Sequence, residues 1–495
     1  MPVPDTTPFG PEQRKAAAAL LRKAALPAAE LGRIFSRHGH ELALVGGPVR
    51  DVFLGRPHSD LDLATDAPPQ RVLEITRDWA DTVWETGIDF GTVGLRKGDT
   101  IFEITTYRSE TYVPHSRKPA GIRYGTSLEA DLRRRDFTVN AMAARLPSLE
   151  LVDPFGGLRD LRDKVLRTPG RPEDSFTDDP LRMMRAARFA AQLGFTVAPE
   201  VAAAMPELAP RLGVVSAERV RDELGKLMLA PGPRDPARGV ELLVDTGVAD
   251  VVLPEVPRLR LETDEHMRHK DVYQHSLTVL EQSIRLEERY GLKPDLVLRL
   301  AALLHDIGKP KTRTLLPDGR VAFHHHEVVG AAMARSRLKA LRFPSAVVAD
   351  VSALIALHLR FHGYGPGEWT DSAVRRYVRA AGPLLTRLHV LTRADCTTRN
   401  KAKAARLARA QDGLEQRIAT LSAQEELKKI RPDLDGNEIM SILGRPPGPA
   451  IGRAYDHLLE LRMEHGPLGK ERASQELLRW AEGEGLGAPG GSSGG

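Results

Sequence analysis

The stretch Gly46-Gly47-Pro48-Val49-Arg50-Asp51, followed by Asp60-Leu61-Asp62, decides the reading of the first part of this chain. It is entered by a short apolar run, Leu42 to Val45, which reads as a buried strand. Gly46, Gly47 and Pro48 break that strand, residues 49–54 read as a short helix, and residues 60–63 read as a second strand. Carboxylates at i and i+2 of a strand point to one face, so Asp60 and Asp62 stand side by side. Such a pair suits two Mg²⁺ ions, hard cations that take carboxylate and phosphate oxygens and clamp an in-line phosphoryl displacement. The glycine pair lets backbone N–H groups approach a triphosphate, and Arg50 can neutralise its charge. Read singly, the glycines mark a tight turn and the aspartates are solvated; the ordered combination favours the metal site.

Working outward, residues 12–37 are rich in Ala, Leu, Arg and Lys and predict one or two helices ahead of the first strand. Residues 92–96 and 100–107 add strand candidates, the second rich in β-branched and aromatic side chains. After Pro154 strand signals stop, and from Asp179 the apolar spacing is helical almost to the end. The expected class is therefore α+β. A chain of 495 residues exceeds what one hydrophobic core supports, so two to four domains are expected. Pro/Gly clusters at residues 231–236, 363–367 and 446–449 offer boundaries or bends, and no internal repeat is found.

Composition narrows the class. With 41% hydrophobic and 28% charged residues and no apolar run long enough to span a bilayer, a globular protein with no membrane partner is expected. Basic residues outnumber acidic ones, 71 against 66, which mildly favours a polyanionic partner. The single cysteine, Cys396, excludes an internal disulfide framework and fits a reducing cytoplasm, and the start of the chain has no apolar stretch of the kind that forms a secretory signal.

Four segments carry a resemblance: GGPVRD at residues 46–51, DLDLATD at 60–66, DLRRRDFTVNAM at 131–142 and DDPLRMMRAARFAAQLGF at 178–195. In this order and spacing they resemble the class II tRNA nucleotidyltransferase and bacterial poly(A) polymerase family, within the DNA polymerase β superfamily. The resemblance implies a polymerase β-like nucleotidyltransferase head and an all-α neck. It implies catalytic metal ligation by Asp60 and Asp62, with Mg²⁺ as the head's metal. It also implies that the Arg133 to Asn140 segment holds the incoming nucleotide, with Asp136 and Asn140 at the ribose and the arginines near the phosphates. Some superfamily members use a third carboxylate on a neighbouring strand; Glu103 fits that role and fits a solvent-facing strand residue as well. In the neck, Asp179 and Arg182 are i and i+3 on one helix face. Cytosine and adenine both pair an exocyclic amino donor with a ring-nitrogen acceptor, so a carboxylate and a guanidinium select C and A together. The resemblance gives this role to Asp179 and Arg182, although Asp178 stands where the family commonly has Glu. Gly46, Gly47, Arg50, Arg133, Asp136, Asn140, Asp179, Arg182, Arg185 and Arg188 make up the expected nucleotide-binding set. Arg219 and Glu223 read either as support for this pocket or as a plain i,i+4 pair.

Farther on, His275, the adjacent His305 and Asp306 of HDIGK, and Asp395 can converge on one metal if their helices pack antiparallel. This pattern resembles the HD metal-dependent phosphohydrolase domain and implies a divalent transition metal or Mg²⁺ there. His324, His325, His326 and His358 extend the set toward a second metal, and Lys309 offers a phosphate contact; His266, His269 and His362 read as surface or packing residues. The sequence after residue 429 resembles the tRNA-gripping tail of bacterial tRNA nucleotidyltransferases, with Arg445 and Arg453 among its phosphate-facing candidates. The expected organisation is a helical segment (1–40), head (41–160), neck (161–235), HD body (236–400), helical tail (401–486) and a low-complexity end (487–495). The activity implied is template-independent addition of CCA to tRNA from CTP and ATP. Two alternatives stand beside it: a poly(A) polymerase, and an HD phosphohydrolase or RNA-binding scaffold with an inactive head.

Overall fold

In the computed structural model the described residues are 28–56, 60–110, 122–125, 127–261, 271–318, 321–364, 369–397, 400–425 and 430–486, with 19, 22 and 26. The chain forms two compact units, Met1–Pro257 and Arg258–Gly495.

The first unit is built on a seven-stranded sheet. Its strands are β1 (Leu42–Val45), β2 (Asp60–Thr65), β3 (Thr82–Trp84), β4 (Thr92–Lys97) and β5 (Thr100–Thr106), and later β8 (Ala143–Leu146) and β9 (Leu151–Val152); a separate hairpin pairs β6 (Arg108–Glu110) with β7 (Ile122–Tyr124). The order across the sheet is β3-β4-β5-β2-β1-β8-β9. Only β2 and β5 run parallel; the other neighbours are antiparallel. Alternation along the strands separates two faces. Leu42, Leu44, Leu61, Leu63, Val93, Leu95, Phe102 and Ile104 fill one face, and all are at most 3% exposed. At roughly 25 cal/mol per Å² their burial supplies the main cohesion of the sheet. Across the other face the polar positions of β2 and β5 stay open.

The sequence missed β3, β8 and β9, which are short and carry few strand signals. It also placed the last strand before Pro154, whereas Val165–Leu166 and Thr196–Val197 form a small parallel pair and Arg313–Leu315 and Val321–Phe323 a small hairpin. Two- and three-residue strands bury too little to leave a period in the sequence.

Beyond the sheet the first unit is helical. The Leu181–Leu193 helix is the centre of this part, with Ala186, Ala187, Ala190 and Ala191 buried on its inner faces. The first unit runs on past residue 235, where the proline cluster suggested that the neck ends. The Asp235–Asp245 helix packs back on its own unit: a Cβ at Gly239 would meet Leu227 at 2.9 Å and the Ala187 carbonyl at 3.1 Å, a fit only glycine allows.

The second unit is almost wholly helical. Its core lies among the helices Val272–Glu287, Leu296–Leu304, Ser345–Leu357 and Leu385–Asp395. A buried Arg299–Glu287 pair, with bonds of 2.8 and 2.7 Å, ties the first two. The helices Gly436–Leu443, Pro449–His465 and Lys470–Gly483 gather a separate apolar cluster around Ile439, Ala454 and Leu477. Among the described residues no helix is long and apolar enough to cross a membrane.

Candidate functional site

Asp60 and Asp62 lie on the open face of β2, with Leu61 and Leu63 buried beneath them. The parallel register sets Glu103 of β5 directly beside Asp62. Three carboxylates therefore share one face over two adjacent strands, which lie about 4.8 Å apart. Partial burial, and then the charges of Asp62 and Asp60, push the Glu103 carboxyl above its ordinary range. Like charges this close are held together at a cost unless a cation sits among them, so the donor set fits divalent metal ions. The structure thus favours the site reading of Glu103 over that of an idle surface residue.

On the other side of β2, Gly46 turns the chain out of β1 at φ +73° into the Gly47–Phe53 helix. A Cβ on Gly46 would lie 2.9 Å from an Arg135 guanidinium nitrogen, so the glycine admits that cation to the turn. Arg50 is buried. It donates to the Asp51 carboxylate at 2.8 and 3.0 Å and to Asn140 Oδ1 at 2.6 Å. Asn140 Nδ2 in turn donates to Asp136 Oδ1 at 3.0 Å, and Arg185 closes on Asp136 Oδ2 at 2.8 and 2.5 Å. Glu223 lies 3.5 Å from Arg185 and 2.5 Å from Arg188, whose guanidinium stacks on Phe189 at 3.9 Å. The result is one buried run of alternating charge and dipole, Asp51, Arg50, Asn140, Asp136, Arg185, Glu223, Arg188, linking the glycine turn to the neck helix. Burial opposes the charge on Asp136, but Arg185 and Asn140 outweigh it and bring the carboxyl down to about 2. The remaining arginines divide. Arg133 is largely exposed, 3.9 Å from Glu129, whereas Arg134 and Arg135 flank the buried Asp131 at 3.6 and 3.2 Å.

The base-reading candidates do not share a helix face as the spacing suggested: Asp179 is extended between the Pro172–Asp178 and Leu181–Leu193 helices while Arg182 lies in the latter, and separate partners hold them. Asp179 accepts from the Leu181 amide at 3.2 Å and from Arg219 at 2.8 Å; Arg182 donates to Ser175 Oγ at 2.8 Å and to the Arg134 carbonyl. No described ion pair joins Asp179 to Arg182, which leaves each to be aimed by its own neighbours. Arg219 and Glu223 do not pair with each other. One steadies Asp179 and the other Arg188, so the i,i+4 reading gives way to the supporting one.

In the second unit five helices bring six donors together. His275 lies in the Val272–Glu287 helix, His305 and Asp306 close the Leu296–Leu304 helix, His326 opens His326–Ala340, His358 follows Ser345–Leu357, and Asp395 ends Leu385–Asp395. They form two groups, His275 with His305 and Asp395, and Asp306 with His326 and His358. Asp306 stands between them: its Oδ2 is 3.2 Å from His305 Nε2 and its Oδ1 is 3.2 Å from His326 Nε2. Each histidine has its Nδ1 within hydrogen-bonding distance of an oxygen: Ala302 at 2.9 Å, Phe323 at 2.9 Å, Ile355 at 2.7 Å and Thr397 at 3.0 Å. For His305, His326 and His358 the carbonyl partner requires the proton on Nδ1 and turns Nε2 inward as the candidate ligand atom, whereas His275 faces the Thr397 hydroxyl through Nδ1 and Asp395 Oδ1 through Nε2 at 2.9 Å. His326 Nε2 and Asp306 Oδ2 are both buried, the first 3.2 Å from Asp306 Oδ1 and the second 2.9 Å from Lys309 Nζ and 3.2 Å from His305 Nε2, so the carboxylate is the polar centre of the cluster. Of the four candidates read from the sequence as converging on one metal, His275, His305 and Asp395 form one group while Asp306 falls in the other with His326 and His358. His324 and His325 do not; both are exposed at the start of their helix. Lys309 reaches Asp306 at 2.9 Å. His266, His269 and the side chain of His362 lie outside the described residues. In the tail, Arg445 donates to the Leu486 carbonyl at 2.7 Å, and Arg453 lies 3.6 Å from Glu484.

Comparison with known proteins matches the segments in which both clusters lie. Residues 42–167 match the Poly A polymerase head domain, residues 194–259 the probable RNA and SrmB-binding site of polymerase A, and residues 272–400 the HD domain. The chain is 35% identical, over 447 residues, to the A-adding tRNA nucleotidyltransferase of Deinococcus radiodurans, covering 89% of this chain and 95% of the relative. The chain belongs to the tRNA nucleotidyltransferase and poly(A) polymerase family. Within that family it is also 32% identical to a CCA-adding enzyme of Geobacillus stearothermophilus over 363 residues, 71% of this chain and 81% of the relative. The crystal structure of the Bacillus stearothermophilus CCA-adding enzyme in complex with CTP superimposes with a TM-score of 0.62 at 26% identity, covering 96% of this chain and 99% of that one. The family's nucleotidyltransferase head thus sits on the sheet that carries Asp60, Asp62 and Glu103, and its HD domain holds the six-donor cluster.

Proposed function

We propose that this enzyme adds CCA to the 3′ end of tRNA without a template, using CTP and ATP. The observation that carries the reading is the carboxylate face of β2 and β5, with the glycine turn on one side and the neck helix tied in by the buried charge run. The names of its relatives support tRNA as acceptor. Asp60, Asp62 and Glu103 would hold Mg²⁺. Bound there, the ions supply charge neutralisation for attack of a 3′-hydroxyl on an α-phosphate with release of pyrophosphate. The chain's own part is positioning. Gly46 and Gly47 leave room for the phosphates, and Arg133 and Arg135 neutralise them. Asp136, Asn140 and Arg50 brace the wall where the ribose rests. Asp179 accepts from the amino group of C or A while Arg182 donates to the ring nitrogen. The basic tail, with Arg445 and Arg453, contributes phosphate contacts without reading sequence.

The test is incorporation of labelled CTP, ATP, UTP and GTP into tRNA transcripts ending at the discriminator base, at C and at CC. Addition of C, C and A followed by a stop is expected, with none by Asp62→Asn and with UTP or GTP accepted by Arg182→Ala. A second reading, addition of A alone, is favoured by the match to the A-adding enzyme along 95% of its length; incorporation only on CC ends would establish it. Long A tracts on any RNA end would favour a poly(A) polymerase.

For the second unit we propose a phosphoesterase centre: the two donor groups, with Asp306 between them, would hold divalent ions that polarise a phosphate and activate water, and Lys309 beside Asp306 would meet the phosphate. Opening of 2′,3′-cyclic phosphate RNA ends to a monoester, and release of inorganic phosphate from monoester ends, are the activities to measure.

A further inference from the structure

The open face of the sheet does not end at the carboxylates. Strand register continues it in one row: Asp62 beside Glu103, Glu103 opposite Gly94, and Gly94 opposite Trp84. Directly paired residues point to one face, so these four side-chain positions cross four strands together. The indole of Trp84 lies flat over Gly94. A Cβ at that glycine would fall 2.0 Å from the indole Nε1 and 2.1 Å from Cε2, so any other residue there would lift the ring off the sheet. Gly94 is buried beneath the ring while Trp84 itself stays partly exposed. The neighbouring row places exposed Arg96 opposite Ile101, which is 37% exposed, and Ile101 beside Asp60.

Direction follows from the chemistry. In an in-line displacement, attacking and leaving oxygens lie on opposite sides of the transferred phosphorus. The glycine turn that receives the triphosphate follows β1, on one side of β2; β5, β4 and β3 lie on the other. The attacking strand therefore arrives over β5, β4 and β3, where the row offers an aromatic surface and a cation. The ring over β4 stands two strand spacings, roughly 10 Å, from Asp62. A base resting on it belongs to a nucleotide upstream of the reacting one. We infer that the β3–β5 face is the track for the single-stranded 3′ end of the acceptor RNA, with Trp84 as the platform on which an upstream base stacks and Arg96 facing its phosphate. The inference rests on the nucleotidyl-transfer reading given above and adds the acceptor's path to it. Stacking suits the task, since every base has a π-face and the platform need not read which one it carries.

The test uses the full chain and a tRNA transcript ending in CC, with ATP as the nucleotide. Trp84→Ala should raise KM for the transcript about tenfold, within the range found for removing one base-stacking aromatic, while KM for ATP stays within about twofold. Trp84→Phe keeps a π-face and should restore most of the loss. Gly94→Ala displaces the ring without deleting it and should reproduce the Trp84→Ala defect. An unchanged KM for the transcript in an active Trp84→Ala enzyme overturns the track, and so does an equal rise in both KM values with Trp84→Phe no better than Trp84→Ala. Absence of any incorporation by the wild-type enzyme overturns the activity reading itself, which separates the two failures.

Discussion

Asp136→Asn tests the buried charge run most directly. The carboxyl is 7% exposed and accepts from Arg185, Asn140 and the Phe137 amide. A group brought from its ordinary 3.8 down to about 2 favours its charged form in the fold by about 2 kcal/mol. Because the folded value is depressed, this stability is present above pH 3.8 and is lost as pH falls toward 2. Removing one partner of a buried pair typically costs about 3–5 kcal/mol; Glu223, 3.5 Å from Arg185, offsets part of it. The expected loss is therefore about 2–4 kcal/mol at neutral pH. Two compact units make a single unfolding midpoint ambiguous, so the measurement is amide hydrogen exchange by helix. Exchange in the Leu181–Leu193 helix should quicken about 30- to 1000-fold at neutral pH, and the Val272–Glu287 helix should be unchanged. Wild type and variant should converge as pH falls from 4 to 2. Equal protection in the two proteins at neutral pH would refute the reasoning, because the pair would then contribute nothing to the fold.

Glu103→Gln should lower nucleotide incorporation about 10- to 100-fold, equivalent to ~1.4–2.7 kcal/mol of lost charge stabilisation, and raise the Mg²⁺ concentration needed for half-maximal rate. An unchanged rate and Mg²⁺ dependence would return Glu103 to the strand surface. In the second unit, two divalent ions per chain are expected by elemental analysis after dialysis, one for each donor group. His358→Ala should retain one and Asp306→Ala should weaken both; a single ion in wild type would count against the two-ion centre. Ring opening of cyclic phosphate ends and phosphate release from monoester ends should disappear with EDTA, with nucleotide incorporation then assayed separately in Mg²⁺ to show that the two sites act independently.

Much of this protein is written locally. The period of two puts Asp60 and Asp62 on one face whatever the rest of the chain does, and Gly46 announces its turn because only a residue without Cβ sits easily at φ +73° there. Helical spacing fixes the character of the chain beyond Asp179, and His275, His305, Asp306 and Asp395 are legible as ligands because an adjacent His-Asp between apolar helices has few other uses. Tertiary structure decided what depends on register and on helix packing. Glu103 became a third carboxylate through the parallel pairing of β2 with β5, about forty residues apart in the chain, and the Trp84–Gly94 contact follows from two further registers. Of three consecutive histidines only His326 joins the donor cluster, because the helix begins there and its two neighbours are exposed. Arg50 meets Asn140 across ninety residues of chain, Asp136 meets Arg185 across forty-nine and Glu223 meets Arg188 across thirty-five, beside local partners such as Asp51 and Phe137. A sequence states which charges must be buried or solvated only in relation to the elements that cover them, and which elements cover them is settled when the chain packs.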